Sequence, residues 1–307
     1  MSIKGESVMK LGYAIPNNQG VAGVADLVDL AREAEHLGYH SAWVSEHLFN
    51  TAYVAKRLGN RPYHEALTVL TAIGGATEKI HLGTSVLVLP WHHPVRLAKM
   101  IATLDQLSGG RVILGVGVGI TREEYDALGV SFSERGAIAN ECLAAMKVLW
   151  SQELPAYSGK YYQFSDQLFS PKAHNPEGPP IWVGGNSPAA QRRLVAHGSG
   201  WHPLALSPTQ VAEALPGVRE QLVTAGRSAE IPVALRTTLE VTEQAWSRPP
   251  QQRRTLRGTI PELVTMMRAY HEAGVTHLII DPNSGDVAYN REILHRIAKE
   301  VLPQLSG

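Results

Sequence analysis

The chain has 307 residues, a formal net charge of zero and 44% hydrophobic residues. This length suits one large α/β barrel or two ordinary domains, and the even charge balance gives no electrostatic footprint for nucleic acid. The single cysteine, Cys142, excludes a disulfide framework within the chain. The first residues lack an apolar signal core and no apolar run is long enough to cross a bilayer, so we expect a cytoplasmic protein without a membrane partner.

The first part of the chain predicts alternating strands and helices. Apolar, β-branched runs bounded by Gly, Pro or Asn predict four strands: Met9 to Ile15, Ser41 to Ser45, Ile80 to Leu89 and Arg111 to Gly115. Apolar residues at helical spacing predict the helices between them: Val24 to Leu37, Leu67 to Thr77, and Pro94 to Leu107 before Gly109-Gly110. The polar and aromatic connection from Thr51 to His64 reads as an irregular loop, long enough to act as a substrate lid.

The alternation breaks after Gly119. Glu134 to Trp150 predicts a helix, whereas Ser151 to Pro180 is rich in Pro, Tyr, Gly and Asn and allows at most a short strand at Tyr161 to Phe164. We therefore expect residues 121–180 to form a helix plus an insertion that covers the C-terminal mouth of a barrel.

Strands and helices alternate again from Ile181 onward. The predicted strands are Ile181 to Val183, Trp201 to Pro203, Pro232 to Val241 and Val275 to Ile280. The predicted helices are Ala189 to Ala196, Pro208 to Thr224, the segment from the Thr259–Glu262 capping box to Gly274, and Arg291 to Val301. Eight strands with helical partners and no linker between halves favour a (β/α)8 TIM barrel forming one domain over residues 1–307. The alternative is an open doubly wound sheet.

Ligands of parallel α/β folds bind at the C-terminal ends of the strands, where this chain places polar and glycine residues. His47, after the second strand, could transfer a proton near neutral pH or could be a packed histidine at the rim. Gly184 to Ser187 could bind a phosphate at the start of a helix or form an ordinary turn. Trp91 and Trp201 could stack on a flat ligand or pack in the core.

Three other patterns carry less information. The run Gly115 to Gly119 lacks the G-x-G-x-x-G spacing, so it is either a tight turn that needs a close backbone approach or a strand end weakened by glycine. His92 and His93 have no third ligand at a convincing spacing, and we predict no metal site. The chain has no G-x-S-x-G elbow, which disfavours serine hydrolase chemistry.

Several motifs, in order along nearly the whole chain, resemble those of a known family. They are L-G-Y-A-I-P-N, A-W-V-S-E-H, I-H-L-G-T-S-V-L-V-L-P, T-L-D-Q-L-S-G-G-R-V-I-L-G-V-G-V-G, I-W-V-G-G-N-S-P-A-A and G-W-H-P-L. Through them the chain resembles the luciferase-like monooxygenase superfamily, in the branch of F420-dependent oxidoreductases. The resemblance implies a TIM barrel, coenzyme F420 or FMN at the strand ends, a small-molecule substrate and a homodimer.

The resemblance also implies roles for individual residues. Glu46 and His47 would be catalytic, with His47 handling the proton. A bulge in the third strand at Ser85 and Val86, often with a cis peptide, would support one face of the cofactor ring. The other cofactor contacts would be Gly117, Val118 and Gly119 beside the ribityl chain and Gly184, Gly185, Asn186 and Ser187 at the phosphate. The substrate pocket would be shaped by Tyr63, Trp91, His92 and Trp201.

The chain departs from this resemblance at two places. Many relatives carry Trp where this chain has Ile120, and the sugar-phosphate dehydrogenases use a carboxylate near that point, so that activity is not expected here. Residues 137–140 replace charged residues that follow the E-R-G motif of relatives. The leading hypothesis is hydride transfer with F420, or monooxygenation with reduced FMN and oxygen. The alternative is a non-catalytic barrel that has lost the cofactor and binds a small molecule.

Overall fold

A parallel β-sheet with helices outside it forms the centre of the computed structural model, which describes residues 8–305. The strands are β1 Lys10–Ala14, β2 Ser41–Val44, β3 His81–Thr84, β4 Leu87–Val88, β5 Val112–Gly117, β6 Tyr157–Ser158, β7 Gln163–Phe164, β8 Ile181–Gly184, β9 Gly200–His202, β10 Ala234–Val241, β11 Leu256–Gly258 and β12 His277–Asp281. The helices are α1 Val24–His36, α2 Ala52–Leu58, α3 Ala66–Ala76, α4 Pro94–Ser108, α5 Arg122–Leu128, α6 Arg135–Ser151, α7 Pro188–His197, α8 Pro208–Thr224, α9 Ile260–Glu272, α10 Val287–Glu300 and α11 Leu302–Leu305.

The sheet curls around an interior. Its order is β11-β10-β12-β1-β2-β3-β5-β8-β9, and β4 also pairs with β5. Two isolated parallel bridges connect the region of β9 to that of β10. Trp201 of β9 pairs with Val233, the residue before β10, and Leu204, just after β9, pairs with Arg236 of β10. This order follows the chain for all eight expected strands, so the predicted α/β class with a parallel sheet is confirmed. The short hairpin of β6 and β7 stands apart from it.

Large and small side chains alternate inside the curled sheet. The rings of Trp43 on β2 and Trp182 on β8 stack with centroids 5.4 Å apart, although β2 and β8 are not neighbours in the sheet. Both rings therefore point inward. A Cβ on Gly83 would lie 2.2 Å from Trp43, and one on Gly200 would lie 2.4 Å from Trp182. The glycines leave room for the two indoles, which close the interior below the strand ends.

The third predicted strand is broken. Between the pairs Gly83–Ile113 and Leu87–Val116, three residues of this strand face two residues of β5. The extra residue makes a bulge, and the Ser85–Val86 peptide at this point is cis. The uninterrupted strand predicted over Ile80 to Leu89 is wrong, whereas the bulge that the family resemblance implied is confirmed.

Two expectations about the loops need correction. The segment from Thr51 to His64 is not irregular, since it contains α2, a short helix that buries Val54 and Leu58 on one side. One pair of apolar residues spaced by four is too short a pattern to predict a helix from sequence. Helix α5 and strand β11 are also present without having been predicted.

The segment 152–180 follows the side of the sheet. Glu141 on α6 accepts hydrogen bonds from the backbone amides of Tyr161 and Tyr162, each at 2.8 Å. Asp105 on α4 accepts one from the amide of His174 at 2.8 Å. These contacts tie the segment to α4 and α6, and none of its residues lines the cavity described below. Its expected position over the mouth is not confirmed.

Candidate active site

A cavity of about 600 Å³ opens at the C-terminal ends of the strands. Residues from or just after β2, β3, β5, β8, β9, β10 and β12 line it, and its volume is in the range of small-molecule and cofactor sites. Ten residues predicted for the site lie on its wall: Glu46, His47, Tyr63, Ser85, Val86, Gly117, Val118, Gly119, Gly184 and Gly185. Five do not: Trp91, His92, Asn186, Ser187 and Trp201.

His47 is held by a carboxylate that the sequence did not reveal. Its Nδ1 lies 2.8 Å from Oε2 of Glu124 on α5, a fully buried side chain. Burial alone would raise the pKa of Glu124, but the bonds from His47 and from the backbone amides of Leu48 and Phe49 outweigh it and lower the pKa. The carboxylate therefore accepts from Nδ1–H. No described residue hydrogen-bonds Nε2, which is left as the nitrogen that can exchange a proton.

Glu46, the neighbour of His47, holds the broken strand. Its Oε2 accepts a hydrogen bond from the amide of Val88 at 2.6 Å, and its Oε1 lies 2.7 Å from Nε2 of His92. Burial would lower the pKa of His92, but the hydrogen bond and charge of Glu46 raise it overall. With both oxygens occupied in this way, Glu46 fixes β4 directly after the bulge.

The alternating glycines of the sequence lie against that bulge. A Cβ on Gly115 would lie 1.8 Å from the carbonyl oxygen of Thr84, one on Gly117 would lie 2.6 Å from Val86, and one on Gly119 would lie 2.8 Å from Val88. Every second residue of one strand therefore faces every second residue of the other, as expected for positions on the same face of a sheet. The glycines thus make room for the displaced third strand. This geometry supports the interpretation of the G-V-G-V-G run as a close backbone approach.

Ser85, at the cis peptide, is oriented by a histidine. His202 is 95% buried, with Nδ1 2.6 Å from the carbonyl oxygen of Ala234 and Nε2 2.9 Å from Ser85 Oγ. Burial lowers the pKa of His202 to about 4, against the opposing effect of the Ala234 bond. A neutral ring that donates from Nδ1 accepts at Nε2, so the Ser85 hydroxyl donates to it. The free lone pairs of Ser85 can then accept a hydrogen bond from a ligand.

Arg236 joins four strand ends. Its guanidinium contacts Oδ2 of Asp281 at 2.7 and 3.1 Å. It also donates to the Ser45 hydroxyl and, at 3.4 Å, to the carbonyl oxygen of Ser85. The two-point contact with Asp281 fixes the plane of the guanidinium. Arg236 therefore connects β10 and β12 to the chain after β2 and β3 at the base of the cavity.

The residues predicted to bind a phosphate at the start of α7 make hydrogen bonds within the protein. Ser187 accepts a hydrogen bond from the amide of Ala190 at 3.2 Å and so caps the helix, as predicted. The amide side chain of Asn186 donates to the carbonyl of Leu204 and accepts from its N–H, at 2.8 and 2.9 Å. Trp201 is 1% exposed and donates to the carbonyl of Gly185. Of these groups, the backbone amides at the helix start are the ones that could face an anion.

Aromatic rings surround His47. Tyr53, Tyr63 and Trp91 have ring centroids 6.2, 5.6 and 6.1 Å from the imidazole. Trp91 lies behind His47 and is half-buried, while Tyr53 and Tyr63 reach the cavity wall. The more buried rings of Tyr63 and Trp91 shield part of the imidazole from water, while Tyr53 is 68% exposed.

Adjacent His92 and His93 point to different neighbours. His92 bonds Glu46, whereas the ring of His93 meets Tyr162 edge-on at 5.4 Å. Among residues 8–305, no three His, Cys, Asp or Glu side chains are grouped so that they could hold a metal ion.

Sequence reasoning missed Glu124, Arg236 and Asp281 as parts of the site. Asp281 ends the last strand, so the argument that selected Glu46 could have found it. Arg236 is a charged residue that directly follows the apolar run from Pro232 to Leu235, a visible signal for a buried pair. The sequence could not distinguish Glu124, which is buried in the structure, from its neighbour Glu123, which is equally acidic but exposed.

The fold and the cavity define an α/β protein with a ligand site at the carboxyl ends of a curled parallel sheet. The family model for luciferase-like monooxygenases matches residues 9–276. The chain belongs to this family.

Curated relatives include enzymes that use either cofactor. The chain is 32% identical over 208 residues to an FMNH(2)-dependent dimethylsulfone monooxygenase of Pseudomonas putida, covering 63% of this chain and 55% of that protein. It is 33% identical over 226 residues to an F420-dependent glucose-6-phosphate dehydrogenase of Kineococcus radiotolerans, covering 72% and 64%. The chain thus spans about half to two-thirds of the length of such relatives.

Solved structures share the fold. An F420-dependent secondary alcohol dehydrogenase in complex with an F420-acetone adduct superposes with a TM-score of 0.81 at 20% identity, covering 97% of this chain and 99% of that one. At this identity the likeness concerns the fold alone.

None of the described helices is long and apolar enough to cross a membrane.

Proposed function

We propose that this protein is an oxidoreductase that binds FMN or coenzyme F420 in the cavity at the strand ends and acts on a small organic substrate. The bulged third strand, held at the cavity wall by Glu46 and matched by two glycines of β5 and by Gly119 just after it, is the observation that carries the proposal. Together, the bulge, Glu46 and the glycines fix the backbone of the third strand and the side chain of Val86 more precisely than core packing alone requires.

The residues present fit a planar cofactor with an anionic tail. Val86, Val88 and Val118 give the cavity an apolar wall, and Ser85 offers a hydrogen-bond acceptor at its centre. A side chain in place of Gly117 would push Val86 toward the ring. At the other edge of the wall, Gly185 leads to the start of α7, where the amide of Ala189 would bind the phosphate. This amide is the one left for a ligand, because Pro188 has no N–H and the amide of Ala190 donates to Ser187.

The bound cofactor would supply hydride transfer as F420, or monooxygenation as reduced FMN with oxygen. His47 would hold or move the proton at Nε2, because Glu124 fixes Nδ1–H and with it the tautomer. Glu46 and His92 would position the wall behind the ring. Tyr63, with Trp91 behind His47, would limit the access of water to the imidazole.

We further propose that residues 1–307 form a single (β/α)8 barrel domain, which acts as a homodimer. The order of the strands and the two bridges between the β9 and β10 regions support a closed barrel. The homodimer rests on the family resemblance alone. Sedimentation velocity of the purified protein would test it.

The proposed function is tested by adding FMN and F420 separately to the purified protein and following the fluorescence of each cofactor. We expect saturable quenching by one or both, and then turnover that consumes the reduced cofactor with oxygen or a carbonyl compound. If neither cofactor binds, the proposal is wrong, and the non-catalytic small-molecule binder remains. Ile120, which motivates that alternative, is 76% exposed at the cavity rim.

A further inference from the structure

Arg57 is a cation at the cavity that no carboxylate neutralises. It lies on α2 and lines the cavity. Its Nη1 donates to two neutral oxygens, the carbonyl of Asn18 and Oε1 of Gln19. Gln19 is in turn fixed to Asn283 by a 2.9 Å hydrogen bond. Within residues 8–305, no carboxylate forms an ion pair with Arg57, so its side chain is braced while its charge remains available.

Of the other charged residues on the cavity wall, Arg254 also forms no ion pair with a described carboxylate and donates to Oε1 of Gln210. The remaining charges are matched. Asp281 pairs with Arg236, and Glu46 is bonded to His92. Glu124 behind the wall is bonded to His47. Arg57 and Arg254 therefore leave the cavity with an excess of positive charge, which attracts anions, and Arg57 is the one beside the chain after β1.

A buried amide beside Arg57 also lacks a partner. The side chain of Asn18 lines the cavity, and the residue is 8% exposed. Its Oδ1 is buried without a hydrogen-bond partner among the described residues, and none bonds its side-chain nitrogen. Because a buried polar group without a partner is costly, this amide points to a polar ligand. An amide can turn its N–H₂ end toward an oxyanion.

This position is separate from the proposed phosphate site. Asn18 follows β1, while the start of α7 follows β8, and three strands separate β1 from β8 on one side of the sheet order. In a curled eight-stranded sheet the two positions face each other across the mouth. An anion at Arg57 would thus lie opposite the tail of the cofactor.

The rim of the mouth is apolar. Tyr53, Ile120 and Leu204 line the cavity, and they are 68%, 76% and 71% exposed. Exposed apolar groups around a polar site favour a ligand with an apolar body.

We infer that Arg57 and Asn18 bind the anionic group of the substrate, and that the substrate is a small organic acid whose apolar body lies against Tyr53, Ile120 and Leu204. This inference rests on the proposed function, because it names the substrate class of the same site. Arg57 sets the specificity for the acid over its neutral analogues.

The test uses benzoate and octanoate as probes, with benzamide and octanamide as their neutral counterparts. Binding to the purified protein is measured by titration calorimetry with and without FMN or F420. We expect at least one acid to bind more tightly than its amide. Arg57→Gln should weaken that binding about ten- to a hundred-fold, and Arg57→Lys should restore part of it. Lys56→Gln, which removes the same charge from an exposed neighbour that does not line the cavity, should leave it unchanged.

Three results would overturn the inference. The acids could bind no better than the amides, Arg57→Gln could leave acid binding unchanged, or the cofactor could displace the acid, which would assign Arg57 to the cofactor site. Each leaves the proposed function intact where the cofactor titration is positive. Asn18→Ala gives an independent check, since it should weaken acid binding without affecting the quenching of cofactor fluorescence.

Discussion

Histidines gather at both ends of the curled sheet, and among them the contacts with carboxylates lie at the C-terminal end. At the N-terminal ends of the strands, the ring of His40 stacks on His81 at 4.4 Å and meets His277 edge-on at 5.2 Å. Burial, the other rings and Lys10 lower the pKa of His40 and His277 to about 3. His40 Nδ1 is buried without a partner among the described residues. These rings are packing groups that stay neutral.

At the C-terminal ends, His47 and His92 each contact a buried carboxylate, Glu124 and Glu46. The pKa of His92 is raised, because Glu46 outweighs the effect of burial. A carboxylate within hydrogen-bond distance therefore separates His92 from His202, which lies at the same end without such a partner and whose pKa burial lowers to about 4. The comparison shows that burial alone identifies neither role.

The largest effect is expected at the mouth from His47→Ala. If Nε2 of His47 exchanges the proton, the variant with its cofactor bound should lose about a hundred- to ten-thousand-fold in turnover rate. His93→Ala is the matched control, because His93 is exposed and packs on Tyr162 away from the cavity. Equal turnover rates for the two variants would contradict the assignment. Cofactor quenching, measured in parallel, separates lost chemistry from lost binding.

Glu46→Ala tests whether the carboxylates at the mouth also stabilise the fold. The substitution leaves the half-buried ring of His92 and the amide of Val88 without their acceptor, so we expect about 3 kcal/mol less stability in urea unfolding at neutral pH. Glu123→Ala, on the exposed face of α5, should change stability by less than about 0.5 kcal/mol. A small effect of Glu46→Ala would mean that water replaces the carboxylate readily.

The sequence could predict the framework because periodicity and caps are local signals. Helix α8 runs over Pro208–Thr224, as predicted, and the capping box of Thr259 and Glu262 opens α9. The family motifs located the bulge at Ser85. By contrast, the partner of His47 lies 77 residues away and that of His92 lies 46 residues away. No spacing rule connects such residues, so the roles of Glu46 and Glu124 needed the folded chain.

Gly117 is a second case in which the sequence predicted a contact without identifying its partner. The sequence shows that Gly117 permits a close approach but not of which atoms. In the structure the approaching group is Val86, a residue 31 positions earlier. The motif therefore predicted a tight contact, and the displaced strand explains it.

Gly117→Ala should alter the mouth while leaving the opposite end intact. Its new Cβ would lie 2.6 Å from Val86, so the wall must shift and both stability and cofactor affinity should fall by about 2 kcal/mol. Gly75→Ala is the matched control, because nothing lies within 4 Å of its Cβ and the residue is in helix α3. That variant should be unchanged or slightly more stable. Unchanged cofactor quenching in Gly117→Ala would remove the proposed wall from the cofactor site.

The smallest effect concerns pH, and it should have opposite signs at the two ends. His277 has a lowered pKa in the folded state, so its contribution to stability is complete above its unfolded value of about 6.5 and is lost as the pH falls toward 3. His92 has a raised pKa, so its contribution is complete below about 6.5 and is lost as the pH rises through the folded value.

Urea unfolding of His277→Gln and His92→Gln between pH 4 and 8 would separate these contributions. Removing His277 should flatten the acid side of the profile by at most about 1 kcal/mol per pH unit, since the ring is not fully shielded. Removing His92 should cost most at the acid end and least at the alkaline end. His36→Gln, at an exposed position in the last turn of α1, is the matched control and should follow the unmodified protein. If the stability of His277→Gln and of His92→Gln changed with pH in the same way, the comparison would fail. A histidine bonded to Glu46 and a histidine without a carboxylate would then respond equally to pH.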